Sequence, residues 1–328
     1  MYWLLNNERF KMVIDLTKNN SISALNNFDP DICIKYYQAL GLDHSSPSQD
    51  QLTTSDWIVR YCFFTQEQRR ALQGSYRMSA GVSIGRASQK YISKYMYEAD
   101  KKILNEKKDL DTIIKEELTE YDKYVVADEE DKIQKEDTKN YLADMIKLTC
   151  KALADLKLGD EVASERYCTY KFKELVLDKI GRIDYEQMSG NKLVELKTKH
   201  RSKRKSDTKQ GYSWIKGYLP KQPDINHVKQ CAFYWHATKK TPHLLYVNQD
   251  SYNIFTPDTC ELLTPEYMEF LVQQDLITAK IRQNLVYITK GNPFDMAKLV
   301  PPPDFSGFMW KNISDEHVRL AASLWDNV

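Results

Sequence analysis

Ile180-Gly181-Arg182-Ile183-Asp184 is followed, eleven residues after its aspartate, by Glu195-Leu196-Lys197. Both runs have the composition and alternation of strands, and Met188-Ser189-Gly190-Asn191 between them signals a turn. Side chains alternate faces along a strand, so Glu195 and Lys197 point one way while Val194 and Leu196 point the other, into a core. A two-residue tip at Ser189-Gly190 sets Asp184 opposite Glu195; a tip at Gly190-Asn191 sets it opposite Lys197. In either register all three groups share one face, with direct neighbours about 5 Å apart. An odd-length tip without a bulge turns Asp184 to the other face, so the grouping demands an even tip or a compensating bulge.

Two carboxylates this close repel unless a cation lies between them. Hard oxygen donors favour Mg²⁺ or Mn²⁺, and the Leu196 backbone carbonyl is a further donor. Such an ion lowers the pKa of a bound water and polarises a phosphate. Lys197 would then orient the water and stabilise developing charge. The alternative is a surface hairpin whose Asp, Glu and Lys form an exposed and nearly neutral salt bridge.

Outward from the hairpin, Glu165 to Tyr170 alternates like a strand, and His243–Val247 with Tyr252–Phe255 reads as a further hairpin. Asn226 is placed to cap a helix running to about Thr238, and Thr264-Pro265 opens a long helix to about Asn284. Ser314 caps a last short helix after the stiff Pro301-Pro302-Pro303 connector. Upstream, Ile84, Ala87, Tyr91, Tyr95 and Ala99 recur at helical steps and predict a helix over 82–104, and an amphipathic helix over 138–156 precedes the strands. Between Glu98 and Asp137 stand 15 acidic and 8 basic residues, a solvated helical face or mobile insertion on one reading and an acidic wall that confines nucleic acid on the other. The expected architecture is α/β: a central mixed sheet flanked by helices, with helical N-terminal and C-terminal additions. Its expected parts are a helical region 1–75, a core 76–290 with a charged insertion near 98–137, and an extension 291–328.

Gly181-Arg182-Ile183-Asp184 with Val194-Glu195-Leu196-Lys197-Thr198 resembles the PD-(D/E)xK nuclease superfamily, whose core is restriction-endonuclease-like. Gln230-Cys231-Ala232-Phe233-Tyr234 resembles the Q-x3-Y helix of its RecB-like and phage lambda-exonuclease-like branch. Gln230 and Tyr234, at i and i+4, share one helix face, which in the family turns toward the active site. The resemblance covers roughly 160–256. It implies that Asp184 and Glu195 bind metal, Lys197 positions the water, and Gln230 and Tyr234 contact substrate near the cleaved bond. Gly85-Arg86-Ala87-Ser88-Gln89 is the candidate for the helix before the core. Members often carry a histidine ligand where Gln89 falls here; Glu165 is a substitute carboxylate or a strand-end surface residue.

The segment Lys192–Lys221 holds ten Lys or Arg residues against two acidic ones. Lys199, Arg201, Lys203, Arg204 and Lys205, with Trp214 among tyrosines and with Arg182 on the hairpin, are candidate nucleic-acid contacts, since cations neutralise phosphates and rings stack on bases. A mobile solvated loop is the plainer reading.

The rest of the chain excludes more than it assigns. Formal net charge is +1, so only the distribution of charge speaks about partners. Cysteines 33, 62, 150, 168, 231 and 260 form no CxxC pair, which argues against a zinc or iron–sulfur site and for free thiols in a reducing cytoplasm. His227 and His236, nine residues apart on one expected helix, cannot share an ion by themselves. With no signal peptide and no long apolar run, a cytoplasmic protein without membrane partner is expected, bacterial or of a phage-infected host. The resulting expectation is a Mg²⁺- or Mn²⁺-dependent deoxyribonuclease, an exonuclease on DNA with a free end that serves phage or bacterial recombination, repair or degradation. A structure- or sequence-specific endonuclease and a non-catalytic nucleic-acid-binding protein are the rivals. Nothing in the sequence speaks for or against a homo-oligomer.

Overall fold

A computed structural model describes residues 28–72, 76–98, 101–126, 129–205, 212–307, 310 and 313–328. In chain order, helices α1 (Pro30–Ala39), α2 (Pro47–Asp50), α3 (Thr54–Trp57) and α4 (Gln66–Ala71), with a π-helical turn at Ile58–Phe63, precede the long helix α5 (Tyr76–Ile92). Strands β1 (Tyr95–Glu98) and β2 (Lys101–Leu104) and helices α6 (Leu110–Asp122) and α7 (Glu129–Asp155) follow. Then come β3 (Val162–Tyr170), β4 (Lys179–Gln187), β5 (Lys192–Thr198), β6 (Ser202–Lys205) and β7 (Tyr212–Ile215). Helix α8 (Ile225–Thr238), β8 (Thr241–Val247), β9 (Tyr252–Phe255) and helices α9 (Pro265–Ile288), α10 (Pro293–Ala297) and α11 (Asp315–Asp326) complete the described chain.

One sheet runs in the order β2-β1-β3-β4-β5-β8-β9, with β1–β3 and β5–β8 parallel and the other neighbours antiparallel. Strands β6 and β7 pair separately. The molecule is therefore the expected α/β type, a mixed sheet with helices on both faces and helical parts at either end. The interior strand β8 shows why. Its run Leu244-Leu245-Tyr246-Val247 is buried throughout, as a strand covered on both faces must be. Leu245 and Val247 join Tyr185 and Val194 against α5, α6 and α7, where Ile84, Ile113 and Ile146 are buried. Leu244 and Tyr246 join Ile183 and Leu193 against α8 and α9, where Val228, Cys231 and Met268 are buried. The described N-terminal helices pack with the C-terminal ones, Cys33, Tyr37 and Trp57 meeting Leu285, Val286 and Met296. Buried Arg282 ties the two by donating to the carbonyls of Gln49 (2.9 Å) and Leu52 (2.6 Å).

Two expectations are corrected. The helix predicted over 82–104 ends at Ile92, and Tyr95–Glu98 and Lys101–Leu104 form a β-hairpin. Asn105 stops the helix by donating to the carbonyls of Lys90 (2.6 Å) and Ser93 (2.8 Å), and the Lys94 amide then turns to the Val162 carbonyl of β3. In the described part of the acidic segment most charges lie on solvated helical faces, but Glu117 is fully buried between Arg86 and Lys90, and Asp131 accepts from the Tyr76 amide at the start of α5. Its last part is continuous with the helix expected over 138–156, because α7 begins at Glu129. The cap of α8 is Asp224, whose side chain accepts from the Asn226 amide. The part of the N-terminal helical region at 1–27 lies outside the described residues. Among the described residues, no helix is long and apolar enough to cross a membrane.

Candidate active site

The register between β4 and β5 pairs Tyr185 with Val194 and Glu186 with Leu193. The strands are joined by the four residues 188–191, an even connection, and the register continued the other way sets Asp184 across from Glu195. Pairing stops at Tyr185↔Val194, while β5 stays paired to β8 as far as Thr198. The two strands therefore part where Asp184 and Glu195 stand. In that gap Asp184 accepts from the Leu196 amide at 2.8 Å. The amide and carbonyl of one strand residue point to the same strand edge, so the Leu196 carbonyl also faces the gap.

On the other side of β4, Ser164↔Tyr185 and Arg166↔Ile183 are paired and the step between them, Glu165 with Asp184, is not. Glu165 has a φ of +60°, in the left-handed region. Across this step the strands exchange faces: Ile183 packs in one core and Tyr185 in the other. A left-handed non-glycine residue stores roughly 1–3 kcal/mol of strain and recurs where function constrains the backbone. The carboxylate of Glu165 accepts from Gln89 Nε2 at 2.5 Å and pairs with Arg182 Nε at 2.6 Å, so both its oxygens are engaged.

A chain of hydrogen bonds connects the rest. Lys197 Nζ donates to Glu195 Oε1 at 2.7 Å and to Gln230 Oε1 at 2.9 Å. Gln230 Nε2 donates to the Tyr234 hydroxyl, which donates to the Arg182 carbonyl, each at 2.8 Å. Gln230 and Tyr234 thus brace Lys197 and β4 from helix α8. The helix comes this close because Gly181 has no side chain: a Cβ there would lie 2.5 Å from Tyr234 Cε1.

Electrostatics follow from burial. Glu195 is 2% exposed, and its Oε2 has no hydrogen-bond partner. Burial and then the Glu195 charge push the Asp184 carboxyl well above the usual carboxylate range. Burial likewise raises Glu195 against the pull of Lys197. For Lys197, burial favours the neutral amine, but Glu195 and Asp184 outweigh it and hold the ammonium above its ordinary pKa. An orphaned buried carboxylate oxygen beside a second carboxylate suits a divalent cation. Among the described residues no three His, Cys, Asp or Glu side chains stand close enough to cage a metal. The donor set is then two carboxylates and a main-chain carbonyl, which fits Mg²⁺, an ion that keeps waters and takes phosphate oxygens for the rest.

The site opens into a cleft of about 680 Å³ lined by α5, β1, Glu165, Arg182, Asp184, Glu195 and Lys197. Of the described part of the basic run, Lys197 lines this cleft and Lys199, Arg201, Lys203 and Arg204 do not. Its strand β6 pairs with β7, setting Lys203 opposite Trp214, and Arg201 lies over the Trp214 ring at 5.4 Å while pairing with Asp137 at 3.4 Å. Lys199 lies over the Tyr246 ring at 5.4 Å, its pKa pulled down by burial. Arg204 is exposed at the hairpin, and the side chain of Lys205 lies outside the described residues. Of the histidines, His227 bonds the Tyr246 hydroxyl at 2.7 Å, whereas His236 stacks on Phe172. Sequence reasoning passed over Tyr167, Arg77 and Gly81, all of which line the cleft; nothing in local composition marks which strand end or helix face borders a site.

No protein-family model matches this chain, and no curated protein does. Among solved structures it is similar to the crystal structure of SSO0001, at 17% identity over 51% of this chain and 84% of that one, with a TM-score of 0.24.

Proposed function

We propose that this chain is a divalent-metal-dependent DNA phosphodiesterase, an exonuclease of the kind used in phage or bacterial recombination, repair or degradation. The observation that carries the reading is the convergence of Asp184, Glu195 and Lys197 in the gap between β4 and β5, with Gln230 bracing the lysine. When bound, Mg²⁺ or Mn²⁺ supplies a Lewis acid and a water of lowered pKa. Asp184, Glu195 and the Leu196 carbonyl hold it. Lys197 keeps a fixed positive charge beside the reacting phosphate, where preorganised donors act most strongly. Arg182, 59% exposed at its side chain, offers a second cation to the substrate strand.

A second reading, an endonuclease on the same site, has one observation in its favour. A second cleft, of about 280 Å³, also reaches Asp184, which leaves room for a strand to continue past it. End-labelled linear duplex and a covalently closed circle, each in Mg²⁺ and in EDTA, separate the two. Metal-dependent loss of the linear DNA alone supports the exonuclease, and cleavage of the circle moves the assignment to endonuclease. Binding of these DNAs and of a single strand, with cleavage of none, overturns both.

A further inference from the structure

The two clefts share three residues, Tyr167, Arg182 and Asp184. Tyr167 and Arg182 are directly opposed in the β3–β4 register, so their side chains leave the same face of the sheet side by side. Tyr167 is 39% exposed, unusual for a tyrosine on a central strand. The pair forms a ridge between the clefts, two residues along β4 from Asp184.

The walls of the clefts differ in chemistry. The larger combines Met78 and Val82 of α5 with Met96 and Tyr97 of β1, groups suited to the faces of bases, and Arg77 and Arg86, cations suited to the phosphates that accompany them. The smaller is bounded by the hydroxyl-bearing Ser46-Pro47-Ser48 at the start of α2. Gly81 and Gly85, one helical turn apart, also line the larger cleft. A glycine inside a helix is destabilising. A Cβ on Gly85 would meet nothing within 4 Å, so no neighbour in the protein requires its absence. A bare backbone beside an open cleft admits close approach of a ligand.

We infer that Tyr167 is a base-stacking residue and that the site takes an unpaired DNA strand. The strand crosses the ridge, with one base stacked on the Tyr167 ring in the larger cleft and the backbone turning into the smaller one. The phosphodiester at the turn then lies over Asp184, and Arg182 exchanges Glu165 for phosphate. Each cleft has the size of a small-ligand site, too small for a duplex segment, and a duplex offers its phosphates rather than base faces. The inference rests on the nuclease reading and adds the substrate class to it.

The test is fluorescence anisotropy with a labelled short single-stranded DNA and its blunt duplex, in EDTA and in Ca²⁺, for wild type, Tyr167→Ala, Tyr167→Phe and Gly85→Leu. Wild type should prefer the single strand. Tyr167→Ala should weaken that binding about 5- to 150-fold, the span of one base–aromatic stack, while Tyr167→Phe retains it. Gly85→Leu, filling the cleft from the opposite wall, should reproduce the loss. Equal or tighter binding of duplex, no single-strand binding in either condition, a Tyr167→Ala protein that binds like wild type, or a Tyr167→Phe protein as weak as Tyr167→Ala would overturn the inference. Single-strand binding with this pattern but no cleavage in Mg²⁺ would sink the nuclease reading alone. Cleavage unaffected by Tyr167→Ala would sink the stacking role alone.

Discussion

Glu165 stands across from Asp184 at the one step between Ser164↔Tyr185 and Arg166↔Ile183 where the β3–β4 ladder is unpaired, and it holds a left-handed backbone conformation there. The strands change faces at that step, which lets Tyr185 enter one core and Ile183 the other while Asp184 meets β5. If the conformation is imposed by the surroundings, glycine is easier to accommodate at 165 than alanine. Glu165→Gly should be more stable than Glu165→Ala by about 1–2 kcal/mol, the cost of a Cβ in the left-handed region. In an ordinary strand the order is reversed. Urea midpoints of the two variants decide it, and alanine at or above glycine would sink the strain account.

Stability should depend on pH and metal together. Asp184 and Glu195 both have folded-state pKa values raised above their ordinary values of 3.8 and 4.5. The folded protein therefore binds more protons than the unfolded one between those values and the raised ones, so stability falls as pH rises through that window. A divalent cation reverses the trend by favouring the ionised pair. Thermal unfolding in EDTA should show the decline, the doubly substituted Asp184→Asn/Glu195→Gln protein should lose it, and Mg²⁺ should raise the wild-type midpoint most at higher pH. A midpoint indifferent to Mg²⁺ across that range would speak against a metal between these carboxylates.

Gly181 is required for close approach, not for a turn. A Cβ there would lie 2.5 Å from Tyr234 Cε1 and 2.9 Å from Phe233 Cε1. Gly181→Ala should cost about 1–3 kcal/mol by overpacking. It should also lower kcat more than it raises KM, because it displaces the Tyr234 hydroxyl from Gln230 and the Arg182 carbonyl. An unchanged denaturation midpoint would show that α8 yields freely and that the packing argument is wrong.

How much of this was legible in the sequence varies with the range of the interaction. Alternation and an even connection, both local, narrowed the hairpin to two registers without choosing between them, and Gln230 with Tyr234 followed from helical spacing. The β1–β2 hairpin did not, because Tyr95 continues the three- and four-residue spacing of α5; what ends the helix is Asn105, brought back from beyond β2. Glu117 lies among acidic neighbours and is buried only because Arg86 and Lys90 reach it from another helix. Asp224 outcompetes Asn226 as a cap by its geometry, which composition does not distinguish. The left-handed Glu165 had no sequence signal, since glutamate is not a residue that favours φ > 0.

The most direct test of the central claim is single-turnover hydrolysis of linear DNA by wild type and Lys197→Ala, each in Mg²⁺ and in EDTA. Wild type should cleave only with metal, and loss of the lysine should slow cleavage about 100- to 1,000-fold, the range for removing one preorganised charge-stabilising donor. Cleavage that survives EDTA, or a Lys197→Ala protein as fast as wild type, would contradict the assignment of the Asp184–Glu195–Lys197 cluster as the catalytic centre.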